Sequence, residues 1–288
     1  MVPAKVIAEI GCNHKGDIEI AKEMIKIAKI YCNVDVIKLQ KRNNRELLTE
    51  EQYNAPHPNQ ASAYGATYGE HREYLEFDLD QHKILKKYCE ELKILYSTSV
   101  WDLTSAKEIC SLNPEHIKIP SACNTNYRLL EWVADNYSGK IHVSTGMTTN
   151  DEIENAVLLF ENKKRIQDVV LYACTSGYPV PFEDIALLEI NRLKSKYSSK
   201  VDAIGFSGHH LGIAVDVAAF TLGAQWIERH FTLDRTWKGT DHAASLEPEG
   251  MRKLVRDVKA VAMALNYKGK EILDIEIVQR KKLKYLSH

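Results

Sequence analysis

The chain has 288 residues, 44% of them hydrophobic, enough for a core and suited to one large domain or two small ones. Its 38 basic and 39 acidic residues leave a net charge of −1, so no global field draws in nucleic acid or an anionic membrane, and an anionic substrate must be captured locally. Six cysteines with no CxxC pair read as reduced thiols; the absence of a secretory leader and of a membrane-length apolar run predicts a soluble, cytoplasmic protein.

In chain order, the apolar run Val6–Ile10 predicts a strand. It is followed by the turn Gly11-Cys-Asn-His-Lys-Gly16, whose spacing does not match a dinucleotide-binding loop. A helix over Ile18–Ile30 and a strand over Asp35–Gln40 come next. Residues 41–78 then read as a long loop rich in Tyr, His, Asn and Pro, with Gly65 and Gly69 as pivots, of the kind that serves as a lid. Helix Leu79–Leu92, strand Ile94–Thr98, helix Leu103–Cys110, strand His116–Pro120 and helix Leu129–Asn136 continue the alternation. Strand Lys140–Thr145 is followed by helix Asp151–Phe160, with capping chemistry in Thr149-Asn-Asp151. The remaining strands are Asp168–Thr175, Ala203–Ser207 and Gln225–Phe231, and the remaining helices Ile185–Lys196, Ile213–Leu222 and Pro248–Leu265. Eight such units predict an α/β fold, a single (β/α)8 TIM barrel over residues 1–270, with 271–288 a C-terminal tail whose basic run Arg280–Lys284 is a solvated end.

Strand after strand is apolar until its last residues and then turns polar, so a ring of functional groups is expected at the carboxyl-terminal face. His209 and His230 close the last two strands. Either alone reads equally well as a hydrogen-bonded core histidine, but together they favour a divalent ion with open positions, no cysteine being near. His210 is expected outside the ligand set and His242 behind it. Lys38 and Lys118 lie inside apolar strands where burial is costly unless they face a polar site, so they predict an anion, with hydroxyls of Thr98, Ser121 and Ser207 as donors. A Schiff-base role for Lys118 in an aldolase is the alternative, which the histidine pair argues against. Glu9 and Asp241 are each either a proton-handling or substrate-orienting carboxylate or a cap.

Nine motifs in order resemble the sialic acid synthase family. They run from Ala8-Glu-Ile-Gly-x-Asn-His-x-Gly16 through Ile37-Lys-x-Gln40, Tyr68-Gly-Glu70, Lys118-Ile-x-Ser121, Ser144-Thr-Gly-Met147, Cys174-Thr-Ser-x-Tyr-Pro179, Ser207-x-His209 and Glu228-Arg-His-Phe-Thr232 to Asp241-His-Ala-Ala-Ser-Leu-Glu-Pro248. The resemblance implies a synthase that condenses phosphoenolpyruvate with an aldose resembling N-acetylmannosamine, giving a 2-keto-3-deoxy sugar acid and phosphate. It implies a divalent metal, Mn2+ first with Mg2+ or Co2+ as substitutes, on His209 and His230. Lys38, Thr98, Lys118, Ser121, Ser176 and Ser207 then fall on substrate contacts, and Glu9, Gln40 and Asp241 near the reacting carbons or the acceptor, with Glu9 handling a proton. A homo-oligomer is expected.

The sequence departs from that family pattern in two places. No C-terminal antifreeze-like domain with its acceptor-binding arginine is expected, so the 41–78 loop is predicted to close the pocket with Arg72 as the guanidinium. Cys123 stands where many members carry an acidic acceptor contact, while Ile119-Pro120 resembles the Kdo phosphate synthases and leaves the acceptor open to another sugar, free or phosphorylated. A non-catalytic carbohydrate-sensing barrel would be expected to lack one of the paired site residues, and none is missing.

Overall fold

A computed structural model describes residues 1–285. Eight parallel strands close into a barrel in sequence order: β1 (Lys5–Gly11), β2 (Val36–Lys41), β3 (Leu95–Val100), β4 (His116–Ile119), β5 (Lys140–Ser144), β6 (Val169–Cys174), β7 (Ala203–Gly208) and β8 (Trp226–His230), with β8 returning to pair with β1. Helices run between them, and after β8 comes the longest, Pro248–Ala264, which opens on a proline at its first turn. The predicted barrel is the observed fold, and most of its element bounds shift by one or two residues. Among the described residues no helix is long and apolar enough to cross a membrane.

Side chains alternate along each strand, which divides the core in two. Ala8, Ile37, Leu39, Ile117 and Ile227 point outward and merge with the helices into one large apolar layer. Ile7, Val36, Val170, Tyr172, Ala203 and Trp226 point inward and plug the bottom of the barrel. Above that plug lie imidazoles: His116 and His142 stack 4.2 Å apart, and His142 meets the Trp226 ring at 4.7 Å. Polar groups thus begin one layer into the barrel, and the same inward parity carries them up to its mouth.

The 41–78 connection is not structureless. It folds into short helices over Asn44–Leu47, Glu50–Asn54 and Tyr68–Tyr74, and the last two carry capping boxes on Thr49 and Thr67. Its glycines are not pivots either: a Cβ on Gly69 would sit 2.3 Å from the Tyr53 ring and one on Gly65 2.5 Å from Glu70 Cβ, so both mark close packing. Beyond the barrel, Asp274–Leu283 forms an exposed helix, where a plain tail was expected; the last positions of that tail, 286–288, lie outside the described residues.

Burial holds His14, His82 and His116 down to about 3, far below their ordinary value. In the unfolded chain these groups take up protons below about pH 6.5, whereas in the fold they stay neutral, so the unfolded state gains protons first and stability falls as the solution is acidified. Chemical denaturation at pH 5 is therefore expected to give a lower midpoint than at pH 7.5, each histidine contributing up to about 1.4 kcal/mol per pH unit in that window. Equal midpoints would show that the three rings are protonated in the folded state.

Candidate active site

A cavity of about 210 Å³ opens at the carboxyl ends of the strands. Its floor is a buried quartet of charges. Lys38 from β2 ion-pairs with Glu9 from β1, lies 3.7 Å from Glu228 of β8, and donates to Ser99 Oγ at 2.6 Å. Lys118 from β4 donates to Glu228 Oε2 at 3.0 Å with its ammonium 3.6 Å from the Tyr172 ring centroid. Glu228 Oε1 accepts from Ser207 at 3.1 Å, and Glu9 Oε1 accepts from Gln40 at 3.1 Å. Two ammonium groups and two carboxylates, all at most 6% exposed, thus share one small volume.

The environments of the four differ. Burial tends to raise Glu228, but Lys118 and Lys38 overcome it and hold the carboxyl at about 2. Glu9 goes the other way: burial lifts it above the usual carboxylate range against the pull of Lys38 and His230. Burial would lower both lysines; Lys38, facing two carboxylates, is nevertheless raised, while Lys118, with Glu228 on one side and Lys38 adding repulsion, is lowered. Glu9 is thus the carboxyl best suited to carry a proton, and Glu228 the fixed counter-charge.

At the rim, His209 and His230 stand with ring centroids 5.5 Å apart. His209 Nδ1 lies 3.0 Å from the Thr175 carbonyl, which sets that nitrogen as the donor and leaves Nε2 with its lone pair; burial keeps the ring neutral, down to about 3. His230 Nδ1 is buried without a hydrogen-bond partner, 4.0 Å from Asp241 Oδ2. Two ring nitrogens lacking protein partners fit a divalent ion as a two-imidazole set. Among the described residues no group of three or more His, Cys, Asp or Glu is disposed to hold one, so further ligands must come from water or substrate. Cys174 does line the cavity, contrary to the expectation of no nearby cysteine, but burial raises its thiol above the ordinary value and keeps it protonated. Tyr178 covers the pair, its ring centroid 4.5 Å from that of His209.

The structure brings Glu9, Lys38, Gln40, Lys118, Ser121, Ser176, Ser207, His209 and His230 around this one cavity. Close packing holds two of the hydroxyls: a Cβ on Gly146 would meet Ser176 Oγ at 2.4 Å and Ser121 Oγ at 2.7 Å. Arg72 and Asp241 line an adjoining pocket that shares Gln40, Trp101, Tyr178 and His230 with the first. His210 is turned away, against Asp216 and Arg229, and His242 Nδ1 lies 2.8 Å from Thr232 Oγ1.

Thr98 is a correction. β3 runs on to Val100, so the inward parity falls on Ser97 and Ser99, and Thr98 points outward with Oγ1 donating to Tyr96 at 2.8 Å. Ser99 occupies the place expected of it. Accordingly Ser99→Ala is expected to raise the KM for an anionic substrate several-fold, about the scale of one hydrogen bond to a charged group, and Thr98→Val to leave it unchanged. The reverse ranking in steady-state kinetics would mean that β3 is rotated from the register described. Cys123 is likewise turned into the apolar layer outside the barrel and away from the cavity. Glu228 went unassigned from sequence although it lies two residues before His230 and so faces the same side, the signal that places it here.

Comparison with known proteins agrees with the barrel fold. The NeuB family model matches residues 24–270. Human N-acetylneuraminate-9-phosphate synthase is 38% identical over 98% of this chain and 76% of its own length, and Campylobacter jejuni N,N'-diacetyllegionaminic acid synthase is 35% identical over 90% and 77%. The crystal structure of N-acetylneuraminic acid synthetase from Leptospira borgpetersenii, in complex with citrate, superimposes with a TM-score of 0.81 at 31% identity, covering 98% of this chain and 93% of that one. With its closed barrel, the family match over residues 24–270 and these relatives, the chain belongs to the NeuB family.

Proposed function

We propose that the chain condenses phosphoenolpyruvate with an aldose of the amino-sugar class to give a nonulosonic acid and inorganic phosphate. The observation that carries this reading is the convergence of Lys38, Lys118 and the His209–His230 pair on one cavity. Phosphoenolpyruvate needs cations for its carboxylate and phosphate, and a carbonyl acceptor needs an electrophilic site beside them.

In this reading the two lysines hold the enol and aim its methylene carbon at the acceptor aldehyde, with Ser99, Ser121, Ser176 and Ser207 completing the anion's hydrogen bonds. A divalent ion, manganese first, held by His209 and His230 would supply Lewis-acid polarisation of the aldehyde. As the carbon–carbon bond forms, the aldehyde oxygen must gain a proton, and Glu9 is the carboxyl whose raised pKa suits it as donor. The former enol carbon, now cationic, is shielded by Glu228 until water adds to it; the adduct then collapses with cleavage of the carbon–oxygen bond to phosphate. Gln40 and Asp241 orient the acceptor hydroxyls. The human relative is named for a phosphorylated acid and the Campylobacter one for an unphosphorylated acid.

The test is turnover of phosphoenolpyruvate with a panel of free and phosphorylated aldoses in water enriched in heavy oxygen. Released phosphate is expected to carry no solvent oxygen, because water attacks carbon and the bridging oxygen leaves with phosphorus. Label in the phosphate would instead indicate attack at phosphorus, and borohydride trapping of substrate on Lys118 would replace the reading with an imine aldolase.

A further inference from the structure

We propose that the adjoining pocket seats a phosphate monoester on the far end of the acceptor, so that the acceptor is an aldose phosphate and Arg72 is the residue that selects it. This rests on the condensation reading above and deepens it. The pocket, about 180 Å³, opens into the reaction cavity through shared walls at Gln40, Trp101, Tyr178 and His230, so one sugar chain spans both.

Its charges are unequal. Arg42 is neutralised by Glu76, which takes both its Nε–H and its backbone N–H, and Asp241, the one carboxylate among the lining residues, accepts from Thr240 at 2.9 Å and turns toward His230. Arg72 has neither answer. Among the described residues its side chain makes no hydrogen bond and no ion pair, and its Nε is buried without a partner. The guanidinium lies 5.3 Å from the Tyr68 ring centroid and 5.5 Å from that of Trp101, and it projects from a helix fixed by the Thr67 capping box. A cation enclosed by aromatic walls without a counter-ion is costly, and a planar fork matches phosphate oxygens in pairs. His71 adds a donor: its Nδ1 accepts from the Tyr64 amide at 3.1 Å, which puts the ring proton on Nε2. An anion on the substrate supplies what Arg72 lacks, at a distance from the aldehyde set by the sugar itself.

Turnover would be measured with phosphoenolpyruvate, manganese and either N-acetylmannosamine or its 6-phosphate, using the wild type, Arg72→Gln and Arg72→Lys, with thermal melts to confirm that each folds. The expected result is a kcat/KM for the phosphorylated sugar at least about tenfold above the free one, a ratio that collapses in Arg72→Gln and partly returns in Arg72→Lys. Equal use of the two sugars, or a ratio indifferent to Arg72→Gln, overturns the proposal. If neither sugar is turned over, calorimetric titration of the same pair decides separately. Binding selective for the 6-phosphate and dependent on Arg72 upholds the pocket while the condensation reading fails; binding with no such selectivity, or stronger binding of a hexuronate carboxylate, overturns the phosphate assignment.

Discussion

Glu228→Gln is expected to destabilise the protein by about 3–5 kcal/mol, the usual cost of removing one partner from a buried ionic cluster, and to lower its melting temperature by roughly 6–20 °C. One oxygen of Glu228 faces Lys118 at 3.0 Å and the other faces Lys38 at 3.7 Å, so neutralising it leaves two buried ammonium groups with Glu9 alone between them. The same loss predicts a signature that general unfolding would not produce. An anion entering the cavity replaces the missing charge, so inorganic phosphate or phosphoenolpyruvate should raise the melting temperature of the variant more than that of the wild type. Turnover should nevertheless fall about a hundredfold or more, the scale of one preorganised electrostatic contact, because tighter ground-state binding does not help the cationic carbon that follows. A variant melting with the wild type, with no extra response to phosphate, would show that Glu228 is not the counter-charge of both lysines.

That this residue escaped assignment shows where the sequence was readable. Barrel architecture was legible because it rests on period: each strand is a short apolar run, each helix an amphipathic one, and the two alternate without interruption outside residues 41–78. Lysines inside apolar strands were legible for the same reason, since burial of an ammonium demands an explanation. The explanation, however, was only half anticipated. The sequence presents the ammonium groups as awaiting an anion, whereas the fold supplies Glu9 and Glu228 to them first; the spacing of Glu228 from His230 gives its face, but its pairing with Lys118 on a distant strand is set by the barrel and not by local sequence.

Register was the other limit. The sequence ends β3 at Thr98, two residues short of Val100, and so takes Thr98 for the strand's last inward group; because successive side chains point to opposite faces, the inward position nearest the mouth is Ser99. The 41–78 segment failed for a different reason. Its helices are four to seven residues long, too short for a periodic signal, and they are specified by caps on Asn43, Thr49 and Thr67 and by packing such as Gly69 against Tyr53. Tyrosines and histidines that look like loop content turn out to be the walls that hold Arg72.

Removal of a divalent ion is expected to abolish turnover, and His230→Ala to do nearly the same while the barrel stays folded. Both rings stand at strand ends, above the apolar plug and outside the buried quartet, so truncating one would remove a proposed ligand without opening the core. His209 is already oriented by the Thr175 carbonyl, whereas His230 Nδ1 has no partner; an ion would give a purpose to both free nitrogens. Two protein ligands hold an ion weakly, so dialysis against a chelator should empty the site reversibly, with activity restored by added manganese. The readout besides activity is metal content: about one ion per chain in the wild type and much less in His230→Ala or His209→Ala after the same dialysis, with melting temperatures close to that of the metal-free wild type. Asp241→Asn should retain more of the ion than either histidine variant, because its carboxylate lies 4.0 Å from His230 Nδ1 and, in the proposed mechanism, serves that ring and the acceptor in place of direct ligation. Full turnover by protein shown by mass spectrometry to be free of metal would remove the ion from the reaction and leave the two imidazoles to be explained as proton carriers.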